Sequence, residues 1–393
     1  DMTDIVILDG ARTAIGTFGG ALAQIAPIDL GATVAKAAME RSGVEPAQIG
    51  TVVYGHVINT EPRDMYLSRA AAIEAGIPET TPAMNVNRLC GSGAQAVASA
   101  TQSLMLGDAD FAVAGGAESM SRSPFINPSQ RFGQKMGDIR TLDMMLGALH
   151  CPFGTGHMGV TAENVAAEHQ ISREDQDAFA LESQQRAARA IAEGRFAEQI
   201  TPVEVRVKRD MVAFEVDEHP KSTTAEALAG LRAVFQKDGS VTAGNASGIN
   251  DGAAALIIGS RKAGEKAGIQ PRARIVSAAI AGVPPQVMGY GPVPASEKAL
   301  ARAGLGINDM DVIEINEAFA VVPMAAMTDL GLPHDIVNIH GGACALGHPI
   351  GASGARIIVT LLFALEEKGL TTGLASLCIG GGEATALAFE RIS

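Results

Sequence analysis

Asn87-Arg88-Leu89-Cys90-Gly91-Ser92-Gly93-Ala94 is the stretch from which the rest of the chain is read. An extended apolar segment, Pro82 to Val86, enters it, and a small-residue helix leaves it. Cys90 therefore falls at a strand-to-helix turn. A helix N-terminus carries partial positive charge and unpaired N–H groups. A thiol held there is expected to ionise more easily than its reference value of roughly 8.5. The same N–H groups can hold an oxyanion. Gly91 and Gly93 leave room for close approach of a backbone or a substrate. Free cysteine is also among the most buried residue types. On this stretch alone Cys90 reads equally as a core residue or as a nucleophile.

The 393 residues leave room for two or three domains and a large core. Glycine (45 residues) and alanine are abundant and Trp is absent, which predicts backbones packed close together. No apolar run reaches the ~18 residues of a membrane span. Asp1-Met2-Thr3-Asp4 leads straight into a strand, so no secretory leader is expected. A net charge of −13 disfavours nucleic acid as a partner. Any anionic ligand must then be met by local basic residues or helix N-termini. The cysteines at 90, 151, 344 and 378 form no CxxC pair and no metal-ligand spacing. They predict a reducing, cytoplasmic setting, no disulfide framework and no metal.

Ile5 to Leu8 reads as a buried strand, Leu30 to Arg41 as a helix ending at Gly43, and Thr51 to Tyr54 as the next strand. Met65 to Ala75 reads as a helix closed by Gly76; the helix after Cys90 runs to about Leu106, and Phe111 to Ala114 is a strand. This alternation implies an α/β layered fold. The second half repeats it. Gly43 is followed eight residues later by Thr51-Val52-Val53, and Gly304 eight residues later by Val312-Ile313-Glu314. Gly93-Ala94 opens a helix leading to Gly115-Gly116-Ala117-Glu118, and Gly354-Ala355 one leading to Gly380-Gly381-Gly382-Glu383. A strand follows Glu383 at once, whereas none follows Glu118 until Ala253 to Ile258. A duplicated unit explains this, with an insertion in the first copy. The predicted organisation is 1–118 plus 250–270 as the first half, 119–249 as the insertion and 271–393 as the second half. The insertion is charge-rich and holds a helix capped by Ser172 and stopped by Gly194. It reads as a solvated decoration or as a ligand-holding lid.

The repeat directs attention to equivalent turns. Gly347-His348-Pro349-Ile350-Gly351 precedes the helix that matches the one after Cys90, which sets His348 opposite Cys90 across a pseudo-twofold axis. Cys378 ends a strand two residues before Gly380, and Asn316-Glu317-Ala318-Phe319 follows the strand Asp311 to Ile315. In open α/β sheets ligands bind at the C-terminal ends of strands. A lone His or Cys is ordinarily structural. A second Cys beside a Cys/His pair suits a reaction that needs both a nucleophile and a base.

Together, Asn-Arg-Leu-Cys-Gly-Ser-Gly at Cys90, Asn-Glu-Ala-Phe at Asn316, Gly-His-Pro-Ile-Gly at Gly347 and Cys-Ile-Gly-Gly-Gly at Cys378 resemble the thiolase family. His157-Met158-Gly159 and Gly244-Asn245-Ala246-Ser247-Gly248 resemble its acetyl-CoA acetyltransferase and β-ketothiolase branch. The resemblance covers the whole chain. It implies a duplicated, five-layered α-β-α-β-α fold with an inserted loop domain. It also implies a reversible Claisen condensation of acetyl-CoA with acetyl- or acyl-CoA, giving acetoacetyl-CoA or another 3-oxoacyl-CoA and CoA by ping-pong kinetics. Cys90 would carry the acyl group, and His348 would activate it. Cys378 would exchange the substrate proton, and Asn316 would fix a water at the enolate oxygen. The N–H groups of Cys90 and Gly380 would form an oxyanion hole. Ser247, His157, Met158 and Phe319 match positions lining the pantetheine and acyl pocket, and Lys221 lies nearest to the nucleotide end.

Lys221 replaces the arginine usual in the family, and Ala227 stands where many relatives have serine. Both departures bear on the nucleotide end, not on the chemistry. His150-Cys151-Pro152-Phe153 and Met288-Gly289-Tyr290-Gly291 would border the acyl pocket. Cys151 and Cys344 match no catalytic position. The family is dimeric or tetrameric, which implies a homotetramer held by a loop from about Ser123 to Arg140. The competing readings are a decarboxylating β-ketoacyl synthase, which needs no second Cys, and a non-catalytic acyl-CoA or lipid binder, which would lack one of Cys90, His348 and Cys378.

Overall fold

The computed structural model describes residues 4–393; Asp1 to Thr3, in the segment expected to lead into the first strand, lie outside the described residues. The first half runs β1 (Ile5–Arg12), α1 (Pro27–Ser42), β2 (Ile49–Gly55), α2 (Leu67–Glu74), β3 (Ala83–Val86), α3 (Ser92–Leu106) and β4 (Phe111–Ser119). The intervening segment holds α4 (Met158–Glu168), α5 (Arg173–Ala192) and a hairpin of β5 (Val203–Val207) and β6 (Asp210–Phe214). Then come β7 (Asn250–Ser260), β8 (Ala273–Gly282), α6 (Pro292–Ala303), β9 (Val312–Ile315), α7 (Val321–Leu330), α8 (Ile350–Lys368), β10 (Thr372–Ile379) and β11 (Glu383–Arg391). Local chemistry sets several ends. Pro27 starts α1, and Gly43 ends it in the left-handed conformation, which costs glycine nothing. The Ser172 hydroxyl accepts the Asp175 N–H at 3.0 Å and caps α5.

Among the described residues the main sheet is ten-stranded, in the order β9-β10-β11-β8-β1-β7-β4-β2-β3, with the two-residue strand Gly16–Thr17 paired to β7. Its two halves follow one plan. In the first, β2 pairs in parallel with β3 and β4, β4 is antiparallel to β7, and β7 to β1. In the second, β9 pairs in parallel with β10 and with Val337, β10 is antiparallel to β11, and β11 to β8. Among the described residues, only Val6–Arg274 and Ile7–Ala273 join β1 to β8 at the centre.

Strand periodicity sorts the core into layers. Ala254, Leu256 and Ile258 of β7 face inward with Ala375, Leu377, Leu387 and Phe389, onto α3 and α8. Ala253, Ala255 and Ile257 face outward to α1 and α2. Leu374, Ala384, Ala386 and Ala388 face the outer helices of the second half. Helices, sheet, central helix pair, sheet and helices thus make the α-β-α-β-α stack. The central helices cross where neither has a side chain: a Cβ on Gly93 would lie 2.5 Å from Ala355 N, and one on Gly354 2.3 Å from Ala94 N. The contact is reciprocal, as a pseudo-twofold requires.

Two elements differ in detail from the sequence reading. The segment before α2 is a 3-10 turn, Pro62–Tyr66, because Pro62 starts it and Asp64 folds back onto the Thr60 N–H and hydroxyl. The strand after α3 continues to Ser119, since β7 pairs with it along nine residues. Among the described residues no helix is long and apolar enough to cross a membrane.

Candidate active site

Cys90 sits in a 3-10 turn, Leu89–Gly91, immediately before α3. Side chains within the quoted stretch build the turn. Asn87 Oδ1 accepts the Leu89 N–H at 3.0 Å, and Ser92 Oγ accepts the Arg88 N–H at 2.9 Å while donating to Leu89 O at 2.6 Å. Leu89 is held at φ 44°, a conformation disfavoured for a residue with a branched side chain. Arg88 bonds Gln95 at 3.1 Å and Glu383 at 3.0 Å, tying the turn to the start of β11.

From the second half, His348 precedes α8 and is buried. Its N–H donates to Asn250 Oδ1 at 3.0 Å. Its Nδ1 lies 2.5 Å from Ser353 Oγ, and that hydroxyl donates its single proton to Pro349 O at 3.0 Å. Ser353 must then accept, so the imidazole carries its proton on Nδ1 and leaves Nε2 as a lone pair. Asn316 Nδ2 stands 3.4 Å from that Nε2. Asn316 Oδ1 is buried with no partner among the described residues, which fits an acceptor for a water. Burial, with Arg356 nearby, lowers the His348 pKa to about 4, so the ring is neutral at pH 7.

Cys378 ends β10 and is fully buried. Two residues on, the chain reverses through Gly381 and Gly382, at φ 94° and 91°, to begin β11. This tight turn aims the Gly380 N–H at the Cys90 sulfur, which also receives the Cys90 N–H. The expectation of an acidified thiol at Cys90 is corrected here. Loss of solvation outweighs both N–H groups and pushes the thiol up to about 11. Cys378, buried beside Cys90, is pushed further up.

Cys90, His348 and Gly380 line one cavity of about 420 Å³. Ser247, His157, Met158, Phe319 and Lys221 line it too, so every residue expected at the coenzyme faces this space. Cys378 and Asn316 lie behind its wall, Asn316 through its contact with His348. The segment between β4 and β7 is sewn to the turn after β9 at this point. Ser247 N–H donates to Ala318 O and Ala320 N–H to Asn245 O, both at 2.9 Å, which sets Ser247 and Phe319 side by side. His157 caps α4 through its Nδ1, which accepts the Gly159 N–H at 2.9 Å; its ring stacks on Phe235 at 4.4 Å. Phe235 meets Phe319 edge-on at 6.2 Å. Burial lowers His157 to about 4, so this wall is uncharged. The lining is mostly apolar, and Lys221 is the one lysine or arginine among its described residues.

Of the two segments expected at the acyl end, Met288 lines the cavity, but Ala148 and Leu149 do so in place of His150 to Phe153. The short helix Met144–Ala148, capped by Asp143, carries the chain past the cavity before that segment begins. Several residues escaped sequence reasoning. Asn250 supports His348, and its Nδ2 lies 3.2 Å from Nδ1 of His219, another lining residue. Ser353 was findable, since it lies five residues after His348 on the helix. Glu317 lies inside the quoted motif at Asn316, but its partners do not show in sequence: its carboxylate joins Ser183 of α5, Asn338 and the Cys344 N–H. Among the described residues, no group of three or more His, Cys, Asp or Glu is placed to hold a metal.

Comparison with known proteins matches residues 5–262 to the family model "Thiolase, N-terminal domain" and residues 269–391 to "Thiolase, C-terminal domain". The chain is 52% identical over 391 residues to the Beta-ketothiolase BktB of Cupriavidus necator, covering 99% of each. It is 49% identical to an Escherichia coli acetyl-CoA acetyltransferase, with 100% of each covered. Among solved structures it resembles the Bacillus anthracis acetyl-CoA acetyltransferase at TM-score 0.97 and 44% identity, covering 100% of this chain and 99% of that one. The human mitochondrial 3-ketoacyl-CoA thiolase in complex with CoA is similar at TM-score 0.96 and 41% identity, with 100% and 98% covered.

Proposed function

This chain belongs to the thiolase family, and from that premise we infer that it is an acetyl-CoA C-acetyltransferase, joining two acyl-CoA molecules into a 3-oxoacyl-CoA and free CoA. One observation carries the assignment of roles: Cys90 shares a cavity wall with a neutral imidazole and an inward-facing Gly380 N–H, with a second thiol buried behind.

The steps follow from those groups. His348 Nε2 takes the Cys90 proton as sulfur attacks the thioester carbon. The oxygen gathers charge between the N–H groups of Cys90 and Gly380, and each such donor is worth about 3–4 kcal/mol at the transition state. Collapse expels CoA, whose sulfur takes the proton back from His348, leaving acyl-Cys90. In the second half-reaction the Cys378 thiolate removes a proton from the methyl carbon of acetyl-CoA. Burial makes that thiolate scarce and also more basic, and basicity is what a weakly acidic C–H demands. A water that donates one hydrogen to Asn316 Oδ1 would hold the enolate oxygen with the other, while His348 Nε2 stays unprotonated. The carbon attacks acyl-Cys90, the Cys90 thiolate leaves, and Cys378 returns the proton to it.

Ser247, His157, Met158 and Phe319 would enclose the pantetheine and the acyl group, with Lys221 toward the phosphates. The mostly apolar, uncharged lining supports this, because a pantetheine arm carries amides and no charge. The test is release of free CoA from acetyl-CoA, and thiolysis across a series of 3-oxoacyl chain lengths. Wild-type protein should turn over, and Cys90→Ser should lose about a thousandfold or more. Full turnover in Cys90→Ser rules the acyl-enzyme out.

The chain would work as a homotetramer in the cytoplasm, where free thiols persist. Support comes from two exposed apolar surfaces. Phe125, Phe132 (94% exposed) and Met136 project from the loop at 123–140, and Tyr66 and Met84 flank the open edge of β3. A monomer by light scattering at micromolar concentration would sink this assembly.

A further inference from the structure

Glu118 has no part in the chemistry above, yet it is fully buried at the end of β4, two residues before the cavity-lining Met120. Its Oε1 accepts N–H groups from Val57 at 3.1 Å and Gly351 at 3.0 Å, and its Oε2 accepts the Ile58 N–H at 3.1 Å. His56 Nδ1 stands 3.4 Å from Oε2 while hydrogen-bonded to Ala117 O at 2.8 Å. Both carboxyl oxygens face donors, which favours the carboxylate against the burial that pushes this carboxyl above its usual range. Gly351 is shaped to this contact, since a Cβ there would lie 2.7 Å from Glu118 Oε1.

These donors come from both halves of the molecule. Val57 and Ile58 follow β2, and Gly351 lies in the first turn of α8. Ile58, Met120 and Ile350 pack as one cluster against Cys90, and Met120 and Ile350 line the cavity. One carboxylate therefore sets the distance between two walls of the nucleophile's surroundings. It also leaves a fixed negative charge near the Cys90 sulfur in a low-dielectric site.

We propose that Glu118 is a positioning residue for Cys90: it clamps Ile58 and Ile350 around the sulfur and keeps a buried anion beside it. This rests on the reading of Cys90 as nucleophile. The anion disfavours a resting thiolate, so Cys90 waits as a thiol and loses its proton only to His348 when a thioester is in place. The other groups that face this pair are His348 before α8 and Cys378 at the end of β10, with His56 and Asp64 on the far side of Glu118.

The test is alkylation of Cys90 by iodoacetamide between pH about 6 and 12, read by peptide mass, which needs no catalysis. In wild-type protein the rate should rise with a midpoint above that of free cysteine, roughly 8.5. Glu118→Gln keeps the size and removes the charge. Its midpoint should fall, and its kcat should fall about tenfold with KM within about threefold. Glu118→Asp keeps the charge but withdraws it from the clamped N–H groups; its kcat should fall while its midpoint stays. A wild-type midpoint at or below free cysteine overturns the proposal, and that measurement needs no variant to fold. So does an unmoved midpoint in Glu118→Gln, or an equal shift in Glu118→Asp. Full turnover in Cys90→Ser would sink the acyl-enzyme reading while leaving these midpoints standing.

Discussion

Between Ser119 and Asn250 the first half takes 130 residues to pass from β4 to β7; between Ile379 and Glu383 the second half passes from β10 to β11 in three. The two steps are equivalent in the sheet, and both join antiparallel neighbours. An antiparallel pair asks only that its ends lie close, so the connection is free to be long or short. The short one aims a glycine N–H at the Cys90 sulfur, and the long one folds over as the cavity wall. The cysteines differ in the same way. Cys90 opens onto the cavity, and Cys378 is sealed behind it. One scaffold used twice thus yields a site whose two thiols meet different surroundings.

The largest expected effect separates those thiols. Cys90→Ser should form no acyl-enzyme by intact mass after incubation with acetyl-CoA. Cys378→Ser should acylate yet lose condensation by about a thousandfold or more. If Cys378→Ser condenses at a rate near wild type, the halves do not divide the work as argued.

A smaller effect tests the equivalence of the halves. Alanine at Gly93 or at Gly354 would push a methyl into the backbone of the opposite central helix, and each should cost about 1–3 kcal/mol in denaturant unfolding. Similar losses would sharpen the symmetry, whereas a neutral Gly354→Ala would break it.

The smallest effect is graded with pH. His157, His219 and His348 are each lowered to about 4, chiefly by burial, from an unfolded value near 6.5. Between those values the unfolded chain binds more protons than the folded one, so stability is complete above about 6.5 and drains away as pH falls toward 4. Thermal melting should therefore drop across that window, with a shallower slope in His348→Asn. A slope unchanged in that variant would show that the second-half histidine is not held neutral by its burial.

Much of the architecture was legible because its signals are local. Glycines at helix ends, alternation in the strands and the paired spacings at Gly43 and Gly304 report the repeat without any long-range contact. The candidate chemistry was partly legible for the same reason, since Cys90, His348, Asn316 and Cys378 each lie at a turn that sequence can mark. What escaped was whatever depends on partners distant in the chain. Glu118 looks like any acidic residue after a strand until the N–H of Gly351 arrives 233 residues later. The Phe235 ring has no reading until it stacks on His157.

The sequence by itself determined an α/β fold with a repeated plan, and pointed to an insertion and to the residue types expected at the strand ends. These follow from propensity, capping and spacing, which act within a few residues. Only the tertiary structure decided the state of those residues. A helix N-terminus alone would acidify Cys90, but the folded surroundings remove water and place Glu118 nearby, and the thiol moves the other way. Desolvation and charge act through space, so a site's electrostatics are settled only when the two halves close on each other.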